Sequence, residues 1–209
     1  MYIPPAFKDD DVESIRATIR DARLANLVTA TAEGPIATPL PLFLDETEGE
    51  RGVLYGHIAK ANPQWRLPPI GEALAIFMGA EAYVTPSWYA TKRETGKVVP
   101  TWNYVAVHAY GRVEFFEEPE RLLEVVTRLT NKQEKPRAEP WAVADAPSDF
   151  IAAQLRAIVG VRIPVLRLEG KRKMSQNRPE ADRIGVVAGL ASSENPQDRE
   201  VAPLIPLPT

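Results

Sequence analysis

The chain has no cysteine, so disulfides, thiolate catalysis and cysteine-bound metals are excluded. Histidine is nearly absent as well. His57 and His108 are the only two, which argues against a histidine-built metal centre. No apolar run approaches the roughly 20 residues of a membrane helix. The start, Met1 to Lys8, lacks the basic-then-apolar pattern of a secretory signal, so a cytoplasmic protein is expected with no membrane contact. No glycine-rich phosphate loop or dinucleotide fingerprint occurs: Gly52 and Gly56 flank a strand without matching either spacing. Positive charge is in slight deficit. Twenty-five Lys and Arg against 28 Asp and Glu give 25 − 28 = −3, which argues against broad attraction to nucleic acid.

What remains is an ordinary globular composition, 44% hydrophobic and 25% charged over 209 residues, enough for one sizeable core. Twenty prolines punctuate it into short elements. Val12, Ile15, Ile19 and Ala22 recur at helical spacing after an acidic start, predicting a first helix. Two strands, 24–32 and 36–44, flank the turn Glu33-Gly34-Pro35, and Val53 to Tyr55 continue the meander. An interrupted strand follows over 73–84, then a charged excursion at 91–97 expected to be mobile, then a long β-prone run over 101–116 that Gly111 allows to bend. Pro119 opens an amphipathic helix. A second helix is expected over 148–159 and terminated by Gly160, and Val161 to Leu168 return as a strand whose Pro164 suggests an edge. Pro179 starts a last helix. The pattern predicts a mainly β, α+β domain over 1–191 and a proline-rich tail over 192–209, either disordered or an arm lying on a partner.

The segment Gly56-His57-Ile58-Ala59-Lys60-Ala61-Asn62-Pro63-Gln64-Trp65 joins an apolar strand to a helix start beside a cation. Asn62 suits an N-cap and Pro63 the first helical position, so backbone N–H groups, the Lys60 ammonium and the His57 imidazole can converge on a phosphate. A plain strand-to-helix junction explains the same residues. Trp88, Tyr89, Trp102 and Tyr104 suit either a flat heteroaromatic ligand or a core. Lys171, Arg172 and Lys173 offer a second anion contact before the Pro179 helix, with Ser175, Gln176 and Asn177 as hydrogen-bonding groups; a hydrated capping loop is the alternative. No base-orienting partner for a catalytic triad is evident, and no residue can be assigned to catalysis.

Taken in order, Met1-Tyr2-Ile3-Pro4, Gly56 to Trp65, Tyr83 to Tyr89, Val99 to Tyr104 and Gly170 to Arg178 closely resemble the PaiB family of FMN-binding transcriptional regulators, over nearly the whole chain to about Leu190. Arg172 and Met174 stand where that family more often has an aromatic residue and a leucine. The resemblance implies a split β-barrel of the kind found in pyridoxamine-phosphate oxidase-like flavoproteins, with peripheral helices, assembled as a homodimer with FMN in clefts between subunits. It implies that Lys60 meets the FMN phosphate, with Gly56, His57 and Asn62 completing that shell, and that Thr38, Pro39 and Leu40 pass the flavin ring. Trp102, Asn103, Lys173, Ser175 and Gln176 are further signature positions at the cofactor. The expected function is a dimeric FMN-binding protein with a regulatory role. One alternative is a flavin-dependent oxidoreductase using reduced nicotinamide and a small acceptor; another is an interaction protein whose flavin site has decayed. Direct DNA binding is left open, because no helix-turn-helix is recognisable.

Overall fold

In a computed structural model, which describes residues 1–207, the chain forms β1 (Lys8–Asp9), α1 (Val12–Asp21), β2 (Ala25–Thr31), β3 (Gly34–Leu40), β4 (Leu42–Asp45) and β5 (Val53–Ala59). Then come β6 (Ala73–Val84), α2 (Ala90–Thr95), β7 (Thr101–Gly111), β8 (Glu114–Phe116), α3 (Pro119–Glu134) and α4 (Ser148–Leu155). The chain continues through β9 (Ile158–Lys173), α5 (Glu180–Ala191) and α6 (Pro196–Val201). The sheet order is β3-β2-β6-β7-β9-β5-β4, with β1 and β8 also pairing with β9. Two compact units can be drawn: a first of Met1–Thr18, Met78–Val107 and the chain from Glu169 on, and a second of Ile19–Phe77 and His108–Leu168. Strands β6, β7 and β9 each contribute residues to both.

In the second unit the period-two pattern is clean. Ala25, Leu27, Thr29 and Thr31 of β2 face inward with Leu40 of β3 and with Ala73, Ala75 and Phe77 of β6. The opposite face carries Asn26, Val28 and Ala30, then Pro35, Ala37 and Pro39, then Leu74 and Ile76, as the register Val28↔Ala37 and Val28↔Leu74 requires. That outer face is apolar apart from Asn26. Strand β5 pairs antiparallel with β9, from Val53↔Pro164 to Ala59↔Ile158. Gly160 is where this ladder meets β8, and a methyl group there would fall 2.2 Å from the Phe116 ring, so only glycine admits that ring. Phe116 joins Phe43, Leu122, Val125, Leu129 and Leu155 in a core under α3 and α4.

The first unit packs Ala82, Val84, Tyr89, Met174, Val186, Leu190, Val201 and Ile205 together. A methyl at Gly185 would fall 2.0 Å from the Trp88 carbonyl oxygen, so α5 presents bare backbone to that segment. Buried Asp182 accepts hydrogen bonds from the Thr91 backbone N–H (2.9 Å) and hydroxyl (3.0 Å), which fixes the start of α2.

Several expectations are revised. The charged excursion at 91–97 lies on and just after α2, which Gly96 ends in the left-handed conformation. The interruption expected within 73–84 does not occur, because β6 has hydrogen-bonded neighbours on both sides. Helix α4 stops at Leu155, since the β-branched residues from Ile158 pair with β5. Pro164 lies in a strand flanked by β7 and β5, not at an edge, and sits where the β5 pairing ends. The tail is ordered over its described residues: Asn195 caps α6 through Gln197 N–H at 3.1 Å, and Val201 and Ile205 bury against α5. Pro208 and Thr209, also assigned to that tail, lie outside the described residues.

An ionic network ties the loop after β4 to α3 and β9. Arg128 meets Asp45 at 2.6 Å and stacks on Phe43, Arg162 bridges Glu48 and Glu114, and the Tyr55 hydroxyl donates to Glu48 at 2.5 Å. Hydrogen bonds from Thr47 and Arg128 lower the Asp45 carboxyl from 3.8 to about 2. A carboxyl depressed in the folded state adds stability above its unfolded pKa and loses it on acidification. Asp45→Asn should therefore cost roughly 1 kcal/mol at neutral pH, discounted for solvent screening. Chemical denaturation of both proteins should show that gap closing as pH falls from 3.8 to about 2.

Candidate cofactor site

The residues expected at a cofactor fall into two clusters, one in each unit. In the second unit, Lys60 follows β5, with its backbone N–H on the Ala157 carbonyl at 2.8 Å. Its ammonium pairs with Glu117 at 2.5 Å. The expected helix after Asn62 is a single 3-10 turn, Pro63–Arg66. The Asn62 side chain makes two hydrogen bonds: Oδ1 accepts from Gln64 N–H and Nδ2 donates to Thr38 Oγ1, both at 2.9 Å. Gln64 is wholly buried and donates from Nε2 to Thr29 Oγ1 (3.0 Å), the Leu27 carbonyl (3.2 Å) and the Ile36 carbonyl (3.4 Å). The side chains of Asn62, Thr38 and Gln64 thus form a polar plug that closes the inner face of the β2–β3 hairpin. Thr38 and Leu40 lie on one face of β3 and Pro39 on the other, so one flat ring cannot lie against all three side chains. Gly56 is buried against Leu42. His57 Nδ1 is buried with no hydrogen-bond partner among the described residues, and burial pushes its imidazole below the ordinary histidine range. A cleft of about 400 Å³ beside this corner is lined by Trp65, Phe115, Phe116, Glu117, Glu118 and Val159.

The first-unit cluster is electrostatically different. Lys173 donates to Thr101 Oγ1 and to the Trp102 carbonyl at 2.7 Å. Burial, then the charges of Lys171 and Arg178, push its ammonium below the ordinary lysine range. Lys171 donates to the Tyr2 carbonyl at 3.2 Å and stands 5.1 Å from the Tyr104 ring. Arg178 stands 4.7 Å from the Tyr89 ring. None of these three cations pairs with a carboxylate among the described residues, whereas neighbouring Arg172 lies 3.6 Å from Asp9. Behind them, Ser175 holds a left-handed backbone (φ 57°) and exchanges hydrogen bonds with buried Asn103 at 3.0 and 3.2 Å. The Gln176 amide accepts from Met174 N–H at 2.6 Å and donates to the Arg172 carbonyl at 2.5 Å. Ser175, Asn103 and Gln176 therefore brace the loop behind Lys171, Lys173 and Arg178. Trp102 is 53% exposed and packs edge-on against exposed Tyr83, ring centroids 5.9 Å apart.

Tested against FMN, the first-unit cluster fits: three converging cations without counter-ions suit a phosphate dianion, and an exposed aromatic pair suits a flat heteroaromatic ring. In the Lys60 corner the ammonium already stands beside half-exposed Glu117, and the Asn62 side chain makes two hydrogen bonds. Sequence reasoning left Arg178 out of the site and had no means to find the Glu117 pairing or the burial of Gln64. The basic run Lys171-Arg172-Lys173, five residues before Arg178, was the available signal for the first; the other two depend on residues brought in from distant strands.

Comparison with known proteins identifies the family and the fold. The family model described as "Putative FMN-binding domain" matches residues 1–167. The protein called protease synthase and sporulation protein PAI 2 of Bacillus subtilis is 36% identical over 206 residues, 98% of this chain and 96% of its own. An uncharacterized protein of Emericella nidulans, AN0679, is 34% identical over 227 residues, 91% of this chain and 90% of its own. Among solved structures, the FAD and heme binding protein of Mycobacterium smegmatis superposes with a TM-score of 0.57 at 14% identity, covering 79% of this chain and 73% of that one. A 5-nitroimidazole antibiotic resistance protein from Bacteroides thetaiotaomicron gives 0.55 at 16% identity, covering 78% and 85%. These likenesses establish the fold, the mainly β split barrel with peripheral helices. A family match over most of the chain, and a relative aligned almost end to end, make this chain a member of the PaiB family of FMN-binding proteins.

Proposed function

We propose that the protein binds FMN without covalent linkage, that Lys173, with Lys171 and Arg178, holds the phosphate, and that Trp102 borders the isoalloxazine. The observation that carries this reading is the placement of Lys171 and Lys173 on one face of the same strand, with Arg178 five residues on, none of them paired with a carboxylate among the described residues. Asn103, Ser175 and Gln176 act behind them as positioning groups. The second reading puts the phosphate at Lys60, with Gly56, His57 and Asn62 around it and the strand Thr38-Pro39-Leu40 along the ring. The partnerless His57 Nδ1 favours it, since that atom could serve a ligand. The two readings separate in one experiment. Lys173→Ala should weaken FMN by about tenfold or more while leaving riboflavin, which lacks the phosphate, nearly unchanged, because charge-assisted contacts are worth about 1.5–3 kcal/mol. Lys60→Ala should have a smaller effect, because it breaks a half-exposed pair. Flavin-fluorescence titrations in which Lys60→Ala is the more damaging variant would reject the first reading.

We propose a homodimer as the working form. The outer face of β3, β2 and β6 supports it: Pro35, Ala37, Pro39, Ala30, Val28, Leu74 and Ile76 present an uncharged surface, of the kind that soluble proteins cover with a partner. Ile76→Glu should halve the mass measured by sedimentation while far-UV circular dichroism is retained. A dimer that survives this substitution would place the interface elsewhere.

The role proposed for flavin binding is regulatory. Support comes from the Bacillus relative, whose name links it to protease synthesis and sporulation. The alternative is an oxidoreductase, in which bound flavin supplies hydride and electron chemistry while the protein orients it and limits access of water. On the regulatory reading, FMN-loaded protein mixed anaerobically with reduced nicotinamide should keep its visible absorbance. Rapid bleaching, followed by turnover with an added acceptor, would favour the enzyme.

A further inference from the structure

A second cavity, unrelated to the flavin reading, lies in the second unit where α3 meets α4 and the 3-10 turn Val143–Asp145. It is an open groove of about 520 Å³, within the range of small-molecule sites. Its walls are Leu123, Val143, Ile151, Ala152 and Leu155, with Ala142 and Ala144 closing one end. The chain is 25% charged, yet no lining residue carries a charge.

Local sequence explains the groove. The stripe Leu122, Val125 and Leu129 of α3 is buried in the core, whereas Leu123, Thr127 and Asn131, spaced four apart, form a second stripe that faces the groove. Helix α4 contributes Ile151, Ala152 and Leu155, and the small side chain of Ala152 leaves the space open. Three uncharged polar groups interrupt the apolar walls: the Thr127 hydroxyl, the Asn131 amide and the Ser148 hydroxyl. None makes a side-chain hydrogen bond to the described residues. Apolar walls with a few unengaged donors and acceptors are the usual make-up of a small-molecule site.

We propose that this groove binds an uncharged, lipophilic small molecule: an aliphatic chain lying along Leu123, Ile151, Ala152 and Leu155, with a hydroxyl or amide end group reaching Thr127, Asn131 or Ser148. An ionised end group is disfavoured, because the lining offers no countercharge to offset its desolvation. A small molecule is the occupant that fits, since the groove has the volume of a small-molecule site and sets three uncharged polar groups along otherwise apolar walls.

The test uses decanol as the neutral probe, with decanoate and decylammonium as charged analogues of the same chain length. Amide-resolved NMR of the full chain should show saturable decanol shifts confined to residues 123–131 and 142–155. The charged probes should bind about tenfold more weakly or worse, given the cost of burying an unpaired charge. Ala152→Trp fills the groove from an exposed position, and Leu123→Arg brings a charge to its lip, also from an exposed position, so both variants should fold. Each should abolish saturable decanol binding and leave FMN titrations unchanged. Absence of saturable binding to the native chain, equal binding of the charged probes, or unaltered affinity in both variants would overturn the proposal. A fall in sedimenting mass in either variant would overturn it too, by assigning the groove to a second copy of the chain.

Discussion

The backbone ladder of β9 is the constraint from which the remaining structure follows. Sixteen residues in one strand take hydrogen bonds from β5, β8, β7 and β1 in turn, and a strand so fully paired cannot slip by one residue without turning its core face outward. Gly160 makes that register tolerable, because the Phe116 ring occupies the space a side chain would fill. The same strand ends in Gly170-Lys171-Arg172-Lys173, so the ladder that seats Phe116 in one unit also delivers the basic residues of the other. Strand geometry, through alternation and register, therefore sets which cations lie close together.

Charge in this molecule divides by whether it is compensated. Around α3, Arg121, Arg128 and Arg162 each meet a carboxylate, and Arg121 and Arg128 also stack on aromatic rings, so their charge is committed to holding the loop after β4. Lys60 belongs with them through Glu117. Lys171, Lys173 and Arg178 do not. Burial and the charges of Lys171 and Arg178 both disfavour the charged form of Lys173. That difference in compensation, more than the identity of any motif, separates a structural cation from one available to a phosphate.

Much of the β framework could be read locally. The turn Glu33-Gly34-Pro35 lies between two alternating strands, and the pairing Thr31↔Gly34 closes where a hairpin demands it. Pro119 opens α3, and Leu122, Val125 and Leu129 are buried as their spacing requires. Local reading failed where a distant partner decided the outcome. Residues 91–97 carry a charged, loop-like composition, yet Asp182 of α5 supplies hydrogen bonds that start a helix there. The helix expected to continue through Ile158 and Val159 yields to pairing with Ala59 and Ile58. The tail, rich in proline, folds because Val201 and Ile205 find the apolar side of α5.

By itself the amino-acid sequence determined the chemistry available: no thiol, only two histidines, an alternating β pattern, and five ordered motifs that mark the family. It also determined where caps and turns fall, since Asn62, Asn195 and Gly96 act on their immediate neighbours. Tertiary structure alone decided which polar groups are already occupied. Asn62 and Lys60 read as ligands because their residue types suit a phosphate; the fold sets one Asn62 N–H on Thr38, its amide oxygen on Gln64 N–H, and the Lys60 ammonium beside Glu117. A side chain's capacity is written in its type; whether that capacity remains free depends on what the fold brings within hydrogen-bonding distance.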